Sequence, residues 1–88
     1  MKVLLYQMTG FFHVYILKCY DGIYYVGRTN DLYRRIKKHN NGEVEYTQSR
    51  RPVRMIYYCS FENQFLAIQF EKYLKSGSGR AFMKRHLI

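Results

Sequence analysis

The chain has 88 residues, of which 48% are hydrophobic and 18% aromatic, and its 15 Lys and Arg against six Asp and Glu give a formal net charge of +9. This length accommodates one domain, and the apolar content supports a core without disulfides or a structural metal. The positive charge favours a polyanionic partner, with nucleic acid ahead of an anionic membrane surface.

The two cysteines, Cys19 and Cys59, lie far apart in the sequence. A disulfide scaffold or a zinc site needs more cysteines at closer spacing, so we expect both to be small buried apolar residues. No apolar run approaches the roughly 20 residues of a membrane span. The first residues also lack the small-residue cleavage site of a signal peptide. We therefore expect a cytoplasmic protein with no membrane partner.

The N-terminal part of the chain predicts a β-hairpin. Residues 1–10 are either a lead-in or an extra strand, and residues 11–88 form the single domain. Aromatic and branched side chains predict strands over residues 12–19 and 23–29, and Tyr20-Asp21-Gly22 between them is a turn.

The length of that turn decides which side chains share a face of the sheet. A two-residue loop would place Tyr15 and Tyr25 on opposite faces, because side chains alternate along a strand. A three-residue loop with Gly22 in the left-handed conformation would pair Cys19 with Ile23 and place both tyrosines on one face. If the two tyrosines act in one site, the second register must hold.

The next segments predict a helix and a third strand. Asn30-Asp31 offers an N-cap for a helix over residues 32–40, which Asn41-Gly42 ends. Residues 43–51 are polar and irregular. The apolar middle of residues 53–61 predicts a strand that is largely covered on both faces.

The C-terminal part predicts two helices. Asn63 can cap a helix that runs to about Lys75, and its apolar arc comprises Leu66, Ala67, Phe70, Tyr73 and Leu74. Residues 76–79 break this helix, and residues 80–88 form a shorter one. The result is an α+β fold of order ββαβαα, a small sandwich with a three-stranded, mainly antiparallel sheet flanked by helices.

Two tripeptides on the predicted hairpin resemble the motif of the GIY-YIG nuclease family. His13-Val14-Tyr15 stands for the first family triad and Tyr25-Val26-Gly27 for the second. The literal Gly22-Ile23-Tyr24 lies in the turn and is too close to Tyr25 to be the first triad. The resemblance covers nearly the whole chain, and the small size is similar to the stand-alone bacterial branch of that family.

The resemblance extends to residues beyond the triads. Arg35, eight residues after Gly27, matches the catalytic arginine of the family, and His39 matches a histidine common one turn later. Glu71 matches the metal-binding glutamate. Two departures stand out, because His13 replaces the first glycine and no asparagine follows Asn63, where many members carry one after the glutamate.

The resemblance implies a role for each matched residue. Tyr15 would be the general base on water, with its pKa lowered by nearby arginines and the metal, and Tyr25 would position the water or the phosphate. Arg35 would grip the scissile phosphate through its planar fork. His39 is either a proton-transfer or phosphate contact or a helix-end residue that complements the dipole.

The fifth catalytic candidate is Glu71. The resemblance makes it the ligand of Mg²⁺ (or Mn²⁺), an ion that accepts one carboxylate together with waters and substrate oxygens. The simpler alternative is a surface salt bridge to Lys75, four residues further along the chain.

A nucleic-acid-binding surface is expected around these residues. Tyr46 and Thr47 are expected to line the cleft, and a side chain at Gly27 would obstruct close approach of the backbone to the site. The expected binding residues are Gly27, Arg28, Arg50, Arg51, Arg54, Arg80, Lys84 and Arg85.

The function that the resemblance implies is a metal-dependent endonuclease that cuts DNA with little sequence preference, in repair or recombination. RNA is a further candidate substrate, and a partner protein could supply targeting. The alternative function is a nucleic-acid-binding module that kept the scaffold and lost turnover. A basic membrane-surface protein is a distant third, because no long amphipathic basic helix is present in the sequence.

Overall fold

The computed structural model describes residues 10–88, so all but the last residue of the predicted lead-in or extra strand, residues 1–10, lies outside the described residues. The predicted α+β class and ββαβαα order are confirmed, with one short helix, α2, in the segment that was predicted to be irregular. The elements are β1 Phe12–Lys18, β2 Tyr24–Thr29, α1 Leu32–Asn40, α2 Glu45–Gln48, β3 Arg54–Phe61, α3 Gln64–Leu74 and α4 Gly77–His86.

The first strand is the centre of the sheet. The strand order is β2-β1-β3, and β1 pairs antiparallel with both neighbours. Five consecutive residues of β1, His13 to Leu17, are buried, whereas no residue of β3 is. The prediction that the third strand is largely covered on both faces is therefore wrong, because each of its residues is exposed or only half-buried.

The β1–β2 hairpin has the three-residue loop. The Cys19 amide donates to the Ile23 carbonyl at 2.8 Å, and the Gly22 amide donates to the Cys19 carbonyl at 3.0 Å. Gly22 has a φ of 85°, the left-handed conformation that a side chain would disfavour. The register that places Tyr15 and Tyr25 on one face is therefore confirmed.

The sheet separates two apolar layers, and alternate residues of β1 supply each of them. One face packs against α1, and the other packs against α3 and α4. The buried residues of the α1 layer are Tyr15, Leu17, Cys19 and Val53, and those of the α3–α4 layer are Val14, Ile16, Val26, Ala67, Leu74 and Met83.

Side-chain caps begin the longer helices where the sequence predicts them. The Asp31 carboxylate accepts the Arg34 amide at 3.0 Å, and the Asn63 side chain accepts the Phe65 amide at 2.8 Å. Of the predicted apolar arc of α3, Ala67 and Leu74 are buried, whereas Leu66 and Tyr73 are 48% and 40% exposed.

The last helix starts three residues earlier than predicted, at Gly77, because Ser76 acts as its N-cap and accepts the Gly79 amide at 3.2 Å. A Cβ at Gly79 would overlap the backbone of Tyr73 and Leu74. The glycine thus lets α4 fold back closely against the end of α3.

Two further expectations were that both cysteines are buried and that no segment spans a membrane. Both cysteines are free, with Cys19 buried and Cys59 only half-buried. Within residues 10–88, no helix has the length and apolar character that crossing a membrane requires.

Candidate active site

Four of the predicted catalytic residues lie together on the α1 face of the sheet. Tyr15 comes from the centre of β1, Tyr25 from β2, and Arg35 and His39 from successive turns of α1. The ring centroids of Tyr15 and Tyr25 are 6.3 Å apart, and those of Tyr25 and His39 are 4.9 Å apart. The shared face of the hairpin and the four-residue spacing on α1 produce this cluster.

Tyr15 is the centre of the cluster and is only 1% exposed. Its Oη lies 2.9 Å from His39 Nε2, and Arg35 Nε donates to it at 3.2 Å. Burial raises the pKa of Tyr15 to about 12, although the hydrogen bond from Arg35 acts in the opposite direction. The expectation of a lowered pKa is therefore wrong for the free protein, in which Tyr15 is a neutral phenol.

His39 is completely buried. Its Nδ1 lies 2.7 Å from Thr47 Oγ1, which in turn lies 3.4 Å from the Val44 carbonyl oxygen. Burial, together with the charge of Arg35, lowers the pKa of His39 to about 4. The imidazole is thus neutral near pH 7, and the interpretation of His39 as a charged residue that complements the helix dipole is wrong.

Gly27 makes room for Tyr15. It is the direct cross-strand partner of Tyr15, and a Cβ at this position would overlap the phenol oxygen and Cζ of the tyrosine. Glycine is therefore required at this position because the Tyr15 ring packs closely against the backbone of β2. A contact between Gly27 and nucleic acid stays a prediction.

Tyr46 and Arg50 form the rim of the cluster. The Tyr46 ring is 50% exposed and packs at 5.7 Å from that of Tyr25, while Arg50 Cζ lies 4.7 Å above the Tyr46 ring. Arg50 also forms an ion pair with Asp21 in the hairpin turn. This pairing fixes Arg50 beside the site rather than leaving it free in solvent.

The contact of Thr47 with His39 is the feature that sequence reasoning missed. Thr47 was expected only to line the cleft, but it is fully buried behind the histidine. Its position depends on the single turn of α2, and no hydrophobic period signals a four-residue helix. In the sequence, the polar Thr47 next to Tyr46 cannot be distinguished from an ordinary loop residue.

Glu71 comes from α3, a helix that packs against the opposite face of the sheet. Its carboxylate accepts Arg28 Nε and Lys75 Nζ, each at 3.1 Å. The simpler alternative, a salt bridge to Lys75, is thus present together with a second ion pair. The negative charge of Glu71 makes the smallest contribution to the raised pKa of Tyr15, after burial and the effects of Arg35 and Tyr25.

The chemistry of Glu71 fits one kind of metal. Among residues 10–88 there is no group of three His, Cys, Asp or Glu side chains that could hold an ion. Mg²⁺ does not need such a group, because one carboxylate, waters and phosphate oxygens of a substrate complete its shell. Glu71 can be that carboxylate if an ion replaces its contact with Arg28 or Lys75.

The other predicted binding residues fall into two groups. Arg28 and Arg51 are engaged within the protein, since Arg28 pairs with Glu71 and Arg51 Nε donates to the Gln48 carbonyl at 2.8 Å. The second group comprises four exposed cations, Arg54, Arg80, Lys84 and Arg85. Arg80 and Lys84 also line a groove of about 560 Å³ along β2. Tyr25 and Tyr46 line the same groove, so it is continuous with the cluster.

Comparisons with known proteins show which sequences and structures the chain is similar to. Residues 11–85 match the model of the GIY-YIG catalytic domain. The chain is 50% identical to a UPF0213 protein of Clostridium perfringens over 72% of its length and 69% of the relative. It is 47% identical to the UPF0213 protein YazA of Bacillus subtilis, over 69% of its length and 63% of that relative, slightly less than two thirds.

A solved structure is also similar. The solution NMR structure of a UPF0213 protein from Bacillus halodurans has a TM-score of 0.55 and 39% identity, and the match covers 84% of this chain and 80% of that one.

Proposed function

Because the chain belongs to the GIY-YIG catalytic domain family, we propose that it is a metal-dependent endonuclease that hydrolyses DNA phosphodiester bonds with little sequence preference of its own. The observation that carries the proposal is the hydrogen-bonded series Arg35–Tyr15–His39, in which a guanidinium and an imidazole both contact one buried phenol. Such a series can move a proton and bind a phosphate at the same place.

In the proposed reaction, Tyr15 takes a proton from the attacking water after giving its own proton to His39 Nε2. In the free protein the pKa values of about 12 and about 4 hold that proton on Tyr15. Arg35 would stabilise the phenolate, whereas the negative charge of a bound phosphate would favour the imidazolium and oppose the phenolate. The base is thus expected to form only transiently, as the water gives up its proton.

The remaining roles concern the phosphate. Arg35 would bind it through the terminal nitrogens of its guanidinium, since its Nε is engaged by Tyr15. Tyr25, half-buried beside His39, would position the water or the phosphate. Mg²⁺ (or Mn²⁺) held by Glu71 would polarise the phosphate and stabilise the leaving oxygen.

The biological setting belongs to the same proposal. The proposal includes a role in repair or recombination of DNA, a cytoplasmic location and a partner protein that supplies targeting. RNA is the second candidate substrate. The net charge of +9 supports a polyanionic substrate. The free thiols of Cys19 and Cys59 are in keeping with a reducing compartment.

A nucleic-acid-binding module without turnover is the second candidate function. It is favoured by the state of Glu71, whose two carboxylate oxygens are both paired with cations, and by the absence of an asparagine after Asn63. In such a module the same basic surface would bind nucleic acid, and the carboxylate would serve only to hold Arg28 and Lys75.

The experiment that separates the two functions is a nicking assay on plasmid and branched DNA with Mg²⁺ or Mn²⁺. We expect the wild type to cut, and the variants Arg35→Ala and Glu71→Ala to lose cutting while they retain DNA binding. Loss of one such group typically lowers the rate by about a hundred- to a thousand-fold. An equal background in all three proteins would leave only the binding module.

A further inference from the structure

The two ring nitrogens of His39 have fixed protein partners. Nε2 lies 2.9 Å from Tyr15 Oη, and Nδ1 lies 2.7 Å from Thr47 Oγ1. Tyr15, His39 and Thr47 are at most 1% exposed. Because these side chains are buried, each of their polar hydrogens needs an acceptor within the protein.

The hydrogens of this series can be assigned from its two ends. At one end, Arg35 Nε donates to Tyr15 Oη, so the phenol hydrogen needs an acceptor, and Nε2 of His39 is within reach. At the other end, the Thr47 hydroxyl can donate to the Val44 carbonyl and accept the hydrogen on Nδ1. Every donor then has an acceptor.

The opposite assignment satisfies fewer groups. With the hydrogen on Nε2, Tyr15 Oη would accept from both His39 and Arg35, and its own buried hydrogen would have no acceptor in the series. The Thr47 hydroxyl would also turn from the Val44 carbonyl to Nδ1. Leaving a buried donor without an acceptor is unfavourable, so the first assignment is preferred.

We propose that Thr47 is a positioning residue that holds His39 in the tautomer with hydrogen on Nδ1, so that Nε2 is the acceptor for the Tyr15 proton. This role serves catalysis only if the proposed function holds. The proton then passes from Tyr15 Oη to Nε2 and leaves a phenolate and an imidazolium. The phenolate takes a proton from water as the water oxygen attacks phosphorus, and the electron pair of the breaking P–O bond goes to the leaving oxygen.

The direct test is ¹⁵N NMR of the histidine side chains in the full chain, which distinguishes protonated from unprotonated ring nitrogens. We expect wild type and Thr47→Ser to show His39 with a protonated Nδ1 and an unprotonated Nε2. Thr47→Val removes the acceptor with little change in shape, so hydrogen should move in part or completely to Nε2. Thr47→Ala is the second variant, in case the valine variant does not fold.

His13 provides a matched control, because its ring also has a hydroxyl partner. His13 Nδ1 lies 2.7 Å from Ser60 Oγ. Ser60→Ala should therefore change the signals of His13 and leave those of His39 unchanged. Hydrogen on Nε2 of His39 in the wild type, or signals of His39 that are the same in the wild type and in a folded Thr47→Val or Thr47→Ala variant, would overturn the proposal.

Kinetics separates this inference from the proposed function. If the chain is a nuclease, Thr47→Val should lower kcat by roughly a hundred-fold with little change in KM for DNA, and Thr47→Ser should restore the rate. A Thr47→Val variant with wild-type kcat would also overturn the positioning role. If the wild type does not cut DNA and the NMR series behaves as expected, the proposed function fails and the tautomer assignment stands.

Discussion

Tyr15 Oη and His39 Nε2 lie 2.9 Å apart, and burial moves the pKa values of the two side chains in opposite directions. The phenol keeps its proton up to high pH, and the imidazole stays neutral down to low pH. Near neutral pH the pair is thus an uncharged donor and an uncharged acceptor.

The first prediction concerns acid stability. The pKa of His39 is lowered from 6.5 to about 4, so the neutral histidine stabilises the fold above pH 6.5, and this contribution is lost as the pH falls from 6.5 towards 4. Over that range His39 alone should lower the free energy of unfolding by about 3 kcal/mol. Urea unfolding as a function of pH measures this loss.

The control for acid stability uses two variants. His39→Gln should remove most of the decrease, whereas His13→Gln should remove a smaller part, because burial lowers the pKa of His13 as well. If His39→Gln keeps the wild-type dependence on pH, the histidine does not have the lowered pKa.

The second prediction concerns Gly27. In Gly27→Ala the new methyl group would overlap the Tyr15 phenol, so either the ring or β2 must move. We expect a loss of about 1–3 kcal/mol in the free energy of unfolding, measured by urea denaturation. Gly77→Ala is the matched control, because an added Cβ there meets nothing within 4 Å and should leave stability unchanged or slightly higher. Equal stability of the two variants would contradict the packing role of Gly27.

The third prediction compares neighbouring arginines on α1. Arg35 donates from Nε to Tyr15, whereas Arg34 is exposed. Lysine keeps the charge but lacks the planar fork, so Arg35→Lys should reduce the cleavage rate by about a hundred-fold or more. Arg34→Lys should cleave at the wild-type rate. Equal rates for the two variants under single-turnover conditions would show that charge alone is required at position 35.

The fourth prediction concerns the groove along β2. If Arg80 and Lys84 bind phosphates there, Arg80→Gln and Lys84→Gln should each reduce the slope of log affinity against log salt by about 0.9. Lys72→Gln, on α3 and outside the lining of the groove, is the control. Fluorescence anisotropy with labelled duplex DNA measures the slopes. Unchanged slopes for both groove variants would exclude this surface as the binding surface.

Local rules were sufficient to predict much of the fold. Asp31 and Asn63 cap helices as their side-chain oxygens allow. The need for Tyr15 and Tyr25 on one face selected the three-residue turn, in which Gly22 adopts a positive φ. Each of these features depends on a few adjacent residues or on the alternation of side chains in one hairpin.

The features that were not predicted depend on packing between distant segments. The position of β3 at the edge follows from the order of strands, which alternation within one strand does not report. The contact of Thr47 with His39 joins a four-residue helix to α1. The pairing of Glu71 with Arg28 joins two residues that are 43 positions apart in the sequence. The raised pKa of Tyr15 has the same origin, because burial outweighs the neighbouring arginine only in the folded chain.

The most direct test of the proposed function compares two tyrosines on adjacent strands. Tyr15→Phe removes only the hydroxyl that contacts His39 and Arg35, while Tyr24→Phe changes a tyrosine that packs with the α3–α4 layer. Under single-turnover conditions with Mg²⁺, we expect Tyr15→Phe to cut DNA at least about a hundred-fold more slowly than the wild type, and Tyr24→Phe to cut at the wild-type rate. A Tyr15→Phe variant that cuts as fast as Tyr24→Phe would contradict the role of Tyr15 as the base.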